Sequence, residues 1–252
     1  MTELGFSDFS VYEGYLDNHP EERQILDSIL QITISRFYRD RGVFDILCSR
    51  VLPLMAKDIL LHGGDEVRCW TAGCCSGEEA YTLQILWKLC VLPAVHKDLP
   101  LRIIATDINH DALKRAQEGN YSESSLKDLP KELIQKAFVQ SGKFYAIKKT
   151  FRENIEFLEQ DIRLQLPGGS FHIIFCRNLV FTYFEEALQR QILGGIIEKL
   201  LKRGILVVGI HESLPKGVTD VIQHEENPGI YKKSDLLQPE MLKCLEMTSF
   251  LQ

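Results

Sequence analysis

The 252-residue chain contains no run of about 18 apolar residues, which excludes a transmembrane helix and membrane insertion. Its first residues, MTELGFSDFSVYEGY, lack the basic-then-apolar layout of a signal peptide, so a cytoplasmic protein is expected. Positive charge is in deficit: 29 Lys and Arg stand against 35 Asp and Glu, a net charge of -6. That balance argues against nucleic acid as a partner, because phosphate-backbone binding needs a clustered basic surface. Only 9 Pro and 17 Gly occur, which excludes collagen-like and low-complexity chains. The seven cysteines (Cys48, Cys69, Cys74, Cys75, Cys90, Cys176 and Cys244) include no CxxC pair and are odd in number. They read as reduced, mostly buried thiols, and no zinc site is expected. GxGxxG and GK[ST] are both missing, which disfavours a dinucleotide and a Walker-type phosphate loop.

What is present is an ordinary globular composition, 45% apolar and 25% charged, in a chain long enough for a core without staples. The first 30 or so residues are acidic, with a helix expected over Glu21–Leu30 and Pro20 at its start. Apolar residues recur at Val43, Phe44, Leu47, Val51, Leu54, Met55 and Ile59, an amphipathic helix bent at Pro53. Strands then alternate with helices. Strands are expected at Glu66–Thr71, Leu101–Thr106, Asn154–Glu159 and Phe171–Cys176, with a fifth in ILVVGIH. Helices are expected at Glu78–Val91, Asp111–Glu118 and Phe184–Leu201, the last capped by Gly204. Continuously apolar strands in such an alternation predict an α/β, doubly wound parallel sheet with its ligand edge at the strand C-termini. The expected division is a helical segment over 1–60 and a ligand-binding domain over 61–252. Residues 121–152 form an insertion in that domain, holding a helix at Lys131–Val139 and a hairpin at Lys143–Phe151.

Three polar signals fall on the predicted ligand edge. In Thr71–Glu79 (TAGCCSGEE), Ala72 and Gly73 let a ligand approach the backbone. Two glutamates open the next helix there; they suit an ammonium or sulfonium centre, or else complement the helix dipole. Asp107, ending the second strand, can accept the hydroxyls of an adenosine ribose or cap the next helix, for which Asn109 competes. Arg177-Asn178 turn an apolar strand abruptly polar, either at the meeting point of cofactor and substrate or in a surface turn. Together they favour an adenosine cofactor with a positive centre. Gly194-Gly195 read as close packing within a helix. His211 reads as a buried, satisfied histidine beside Glu212, with substrate contact as the alternative.

These residues resemble the CheR-type S-adenosylmethionine-dependent methyltransferases, which methylate glutamates of bacterial chemotaxis receptors. Thr33-Ile34-Ser35-Arg36-Phe37-Tyr38-Arg39 is similar to the family's N-x-T-x-F-F-R, and Cys75–Thr82 to its S-T-G-E-E-P-Y-S. Ala105–Asn109 is similar to A-S-D-I-D, and Phe175–Phe184 to F-C-R-N-x-x-I-Y-F. The resemblance spans about residues 31–215 and implies a Rossmann-like class I methyltransferase sheet with S-adenosylmethionine as cofactor. It places Thr33, Ser35, Arg39, Ala72, Gly73, Glu79, Asp107, Ile108, Asp161, Ile162, Arg177 and Asn178 around the cofactor. Glu79 would hold the methionine ammonium, Asp107 the ribose and Asp161 the adenine amine, with Arg39 near the methyl group. Arg39 and a tyrosine after the fourth strand, here Tyr183, are the implied catalytic pair. The stretch before that tyrosine is one residue longer than in the family, so Thr182 falls at the ungapped position. The implied acceptor is a carboxylate, of a protein glutamate or a small molecule. The short acidic N-terminal segment and the net charge weigh against docking on an acidic receptor helix. A catalytically silent S-adenosylmethionine-binding sensor or scaffold is the alternative.

Overall fold

Continuous apolar runs can be buried on both faces, and in the computed structural model they form the centre of a seven-stranded sheet. The structure describes residues 8–22, 35–225 and 227–234. The strands are β1 (Val67–Ala72), β2 (Leu101–Asp107), β6 (Ile155–Glu159), β7 (Phe171–Cys176), β8 (Leu200–Val207), β9 (Val221–His224) and β10 (Asn227–Lys233). Their order is β6-β2-β1-β7-β8-β10-β9. The first five are parallel, whereas β10 runs antiparallel to both β8 and β9. The expected doubly wound sheet is therefore present, with an antiparallel pair added at one side. Chain order reverses between β1 and β7, and the crevice at that switch is where such sheets bind ligands.

Side chains alternate cleanly across the sheet. Cys69, Ile103, Ile173, Phe175, Ile205 and Val207 pack into one core, and Trp70, Ala72, Ile174, Cys176, Leu206 and Val208 into the other. Over the first face lies α2, which runs Arg41–Ile46, widens into a π-helical turn at Leu47–Val51 and continues over Leu52–Leu61. Beside it, α3 covers Glu78–Leu86, a π-helical turn at Trp87–Val91, and Leu92–Val95. Pro53 and Pro93 each follow their π turn by two residues. A proline ring cannot donate to the carbonyl four residues back and collides with it, so widening the turn is the adjustment. In place of the bend expected at Pro53, the structure has this π turn over the five residues ending two before it. α4 (His110–Glu118) is capped by Asn109, whose side chain accepts from the Ala112 N–H.

The insertion is a second, three-stranded sheet of β3 (Asn120–Ser122), β5 (Phe144–Ile147) and β4 (Phe138–Ser141), with helices α5 (Glu123–Leu126) and α6 (Lys131–Ala137). The α7 helix (Val180–Tyr183) is short, and α8 (Glu186–Lys199) covers the second face of the large sheet. Gly204 does not cap α8. It lies within β8, four residues past Leu200, where the helix closes, at a point where the pairing with β7 shifts register beside left-handed Arg203. A side chain at Gly195 would strike Leu166, in accord with close packing, whereas Gly194 faces open space.

The chain divides into two compact units at residue 34. In the first, α1 (Phe9–Asn18) is capped by the Asp8 carboxylate, which accepts from the Ser10 N–H at 2.8 Å. Helix resumes at Pro20, and most of the helix expected over Glu21–Leu30 lies outside the described residues, as does Thr33.

Candidate cofactor site at the sheet switch point

The loop after β1 is shaped by backbone conformations that side chains resist. Gly73 has φ +69 and a Cβ there would come within 2.9 Å of Leu179; Gly77, with φ +83, abuts Ala116 and Phe157. Only glycine takes such angles freely and leaves room for its neighbours. Four of the loop's N–H groups are already engaged. Those of Gly73 and Cys74 donate to the Thr106 carbonyl at 2.8 and 3.0 Å, and that of Gly77 to the Cys74 carbonyl. The Cys75 N–H donates to Asp107 Oδ2 at 2.7 Å. A phosphate cradle needs free N–H donors, and these four are spent on the protein itself.

Asp107 sits at the C-terminal end of β2 and accepts from Cys75 and, through Oδ1, from the Asn109 N–H at 2.8 Å. It does not cap α4; Asn109 does. Burial pushes its pKa up while the backbone donors hold it down. Each carboxylate oxygen can accept a second bond, so Asp107 is fixed in place and still able to take hydroxyl donors.

Glu79, in the first turn of α3, meets Arg177 from the end of β7. Arg177 Nη1 donates to Glu79 Oε2 at 2.9 Å, while Nη2 donates to Asp40 Oδ2 at 2.5 Å and to the Arg39 carbonyl at 3.0 Å. The guanidinium also lies 5.2 Å from the centre of the Phe44 ring. At 3% side-chain exposure Arg177 is no surface turn. It is a clasp joining the segment before α2, the start of α3 and the end of β7. Burial raises the Glu79 pKa, and Arg177 and then Arg39 oppose that rise, so the Arg39 charge also faces this carboxylate. Glu78 is buried, and its side chain bonds to Ser35. The two glutamates therefore do more than complement the helix dipole.

The remaining expected residues are placed less uniformly. Ala72 ends β1 in the core, Ile162 packs half-buried on the α8 face, and Ile108 is exposed. Asp161 is gripped by Arg163, whose Nε lies 2.9 and 3.0 Å from its two oxygens, and this holds its pKa down. Asn178 adopts a left-handed conformation, φ +52. Tyr183 is 54% exposed, whereas the Thr182 hydroxyl turns inward to Glu212 Oε1 at 2.6 Å. The expectation for His211 is corrected. The histidine is exposed and Glu212 is the buried, satisfied residue, because its carboxylate collects donors from two loops. Asp40 was not singled out by sequence, since nothing local distinguishes it from a solvated charge. A cavity of about 1090 Å³ between α2 and strands β8, β9 and β10 shares no residue with this edge.

The donor set fits a cationic adenosine ligand. Two carboxylates face a crevice whose loop has spent four of its N–H groups on the protein itself, which counts against a nicotinamide dinucleotide. The strand order with its antiparallel seventh strand and these acidic strand ends define the class I S-adenosylmethionine-dependent methyltransferases. Within that class, residues 33–230 match the family described as "CheR methyltransferase, SAM binding domain". The chain belongs to this family and binds S-adenosylmethionine. It is 31% identical over 216 residues to a "Chemotaxis protein methyltransferase" of Borreliella burgdorferi, covering 83% of this chain and 75% of that protein. It is 33% identical over 187 residues to the Listeria monocytogenes protein of the same name, covering 74% of this chain and 68% of that one. A solved structure of the N-methyltransferase NodS from Bradyrhizobium japonicum, with S-adenosyl-L-homocysteine, aligns over 64% of this chain and 61% of that chain. Its TM-score is 0.34, at 16% identity.

Proposed function

We propose that this methyltransferase esterifies a protein glutamate of the chemotaxis-receptor class, the acceptor that the resemblance implies, and its relatives carry the name chemotaxis protein methyltransferase. The observation that carries the reading is the acidic crevice itself: Glu79 and Asp107 are half-buried, anchored carboxylates beside a loop four of whose N–H donors are already engaged. When bound, S-adenosylmethionine supplies an electrophilic methyl group on a sulfonium. Glu79 Oε2 is held by Arg177, and its Oε1, which accepts no bond among the described residues, takes the ammonium of the cofactor's amino-acid end. Asp107 takes the ribose hydroxyls. Asp161, whose two oxygens each already accept two bonds from Arg163, takes the adenine amine in exchange for one of those bonds. Ser35, Ala72, Gly73, Ile108, Ile162 and Asn178 line the crevice.

No general base is required of the protein. A glutamate acceptor, with a pKa of about 4.3, is ionised and nucleophilic at neutral pH. The site's task is to align that carboxylate in line with the methyl group and to exclude water. Arg39 grips the acceptor, because a guanidinium binds a carboxylate through two parallel bonds. Tyr183, exposed at the mouth, packs against the incoming chain. Purified protein incubated with methyl-labelled cofactor and membranes bearing chemoreceptors should place base-labile label on a receptor, and Arg39→Ala should abolish it. Label stable to base, or label retained after both Arg39→Ala and Tyr183→Phe, would overturn the proposal.

A further inference from the structure

Two loops meet at the C-terminal ends of β7 and β8, and one buried side chain ties them together. Glu212 is 8% exposed. Its Oε2 accepts the N–H of Asn178 and the N–H of Gly209, both at 2.7 Å, and its Oε1 accepts the Thr182 hydroxyl at 2.6 Å. The Glu212 N–H closes the turn by donating to the Gly209 carbonyl at 3.0 Å. No cation lies within ion-pair distance of Glu212 among the described residues. Three donors alone therefore support the charge. A carboxylate out of water without a counter-ion is an expensive way to hold a turn closed, and neutral packing would serve for stability alone.

What the carboxylate holds is specific. Asn178 has φ +52, a conformation that Asn tolerates better than most residues but that still costs energy, and its N–H is the one Glu212 fixes. The Asn178 side chain lies against Gly209, where a Cβ would come within 3.0 Å of Asn178 Oδ1 and 2.8 Å of Glu212 Oε2. Strain, a glycine with no room for a side chain and a buried charge thus converge on the placement of one residue. Thr182 adds the third bond from the turn that leads to Tyr183. Thr182 thus turns its hydroxyl in to Glu212 while the next residue, Tyr183, is left outside.

We infer that Glu212 is a positioning residue for the cofactor crevice: it holds Asn178 in its left-handed conformation so that the asparagine can contact S-adenosylmethionine. This rests on the reading of Asn178 as a cofactor contact. The test is calorimetric titration of the purified full chain with S-adenosylmethionine, well below the melting midpoint of each variant. Glu212→Ala should weaken binding about tenfold or more, since two N–H groups and a hydroxyl lose their acceptor. Two further variants keep the test independent of whether that protein folds. Glu212→Asp retains the charge but is one carbon short of spanning both loops, and it should bind several-fold more weakly. Glu212→Gln loses the charge but keeps the reach: its carbonyl accepts the two N–H bonds and its amide donates to the Thr182 oxygen. It should bind within about twofold of wild type. Isosteric rescue with failure of the charge-retaining variant is the signature of positioning. Glu212→Ala and Glu212→Asp both binding like wild type, with only their melting midpoints lowered, would overturn the inference. So would Glu212→Gln failing as badly as Glu212→Asp. A wild-type chain that binds no S-adenosylmethionine would instead refute the function proposed above.

Discussion

Replacing Arg177 with methionine is the sharpest probe of the clasp beneath the cofactor crevice. Methionine fills much of the same channel over Phe44 but removes the donors to Glu79, Asp40 and the Arg39 carbonyl. The two carboxylates are 15% and 20% exposed, so neither finds full solvation in exchange. Removing one partner of a buried pair costs about 3–5 kcal/mol, because the other charge stays behind uncompensated. Two carboxylates share this guanidinium, which places the expected loss at the upper part of that range. For a chain of this size 1 kcal/mol moves the midpoint by about 2–4 °C, so a loss of about 4–5 kcal/mol means a fall of roughly 8–20 °C in a thermal melt. The penalty arises from stranded charge. Adding Glu79→Gln to Arg177→Met should therefore return part of the lost stability, although Glu79→Gln alone destabilises the wild type by breaking the pair from the other side. Urea titrations of the four proteins give the coupling directly. A single mutant Arg177→Met that melts within about 1 °C of wild type, or a double mutant whose losses simply add, would refute the account.

The crevice carboxylates give further expectations. Burial raises the pKa of both Glu79 and Asp107, so each contributes stability below its unfolded-state value, and that contribution is lost as pH rises through the raised folded value. Cofactor binding needs Glu79 ionised and brings a cation to it, so affinity should fall on acidification at a pH above that of an ordinary glutamate. Protons should be released on binding in this window, seen as a dependence of the calorimetric heat on buffer ionisation enthalpy; a buffer-independent heat there would contradict the assignment. Asp107→Ala should unfold more readily, by about 1–3 kcal/mol for each backbone N–H left unpaired in a denaturant titration, and should lose cofactor binding. Gly73→Ala should cost about 1–2 kcal/mol for its left-handed backbone, measured in the same way, and more if Leu179 cannot yield. Tyr183→Ala should leave the melting midpoint unchanged, since the ring is mostly outside, while lowering transfer to the acceptor.

Several elements of this protein are written locally. The runs VRCWTA, LRIIATD and FHIIFC are apolar on both faces and can only be central strands. Asn109 announces the start of α4, and the small residues after β1 announce a close backbone turn. Where local chemistry is mixed, the reading fails. β10 carries Pro228-Gly229, which reads as a turn, and becomes a strand because β8 and β9 flank it. The Gly204 stop signal is overridden because β7 offers the chain a partner from Leu200 onward.

By itself the sequence determined the alternation of strands and helices, the acidic strand ends and the resemblance that those motifs carry, since each depends on residues close along the chain. Only the tertiary structure decided how the site is held. Arg177 reaches Glu79 across 98 residues and Asp40 across 137, and Glu212 reaches Asn178 across 34. Only the tertiary structure, too, showed that four of the loop's N–H groups are engaged and that Glu212, not the histidine beside it, is buried. The physical reason is common to all of these. A charged side chain looks the same in sequence whether water or another charge will satisfy it, and the choice is made by partners that only folding brings within 3 Å.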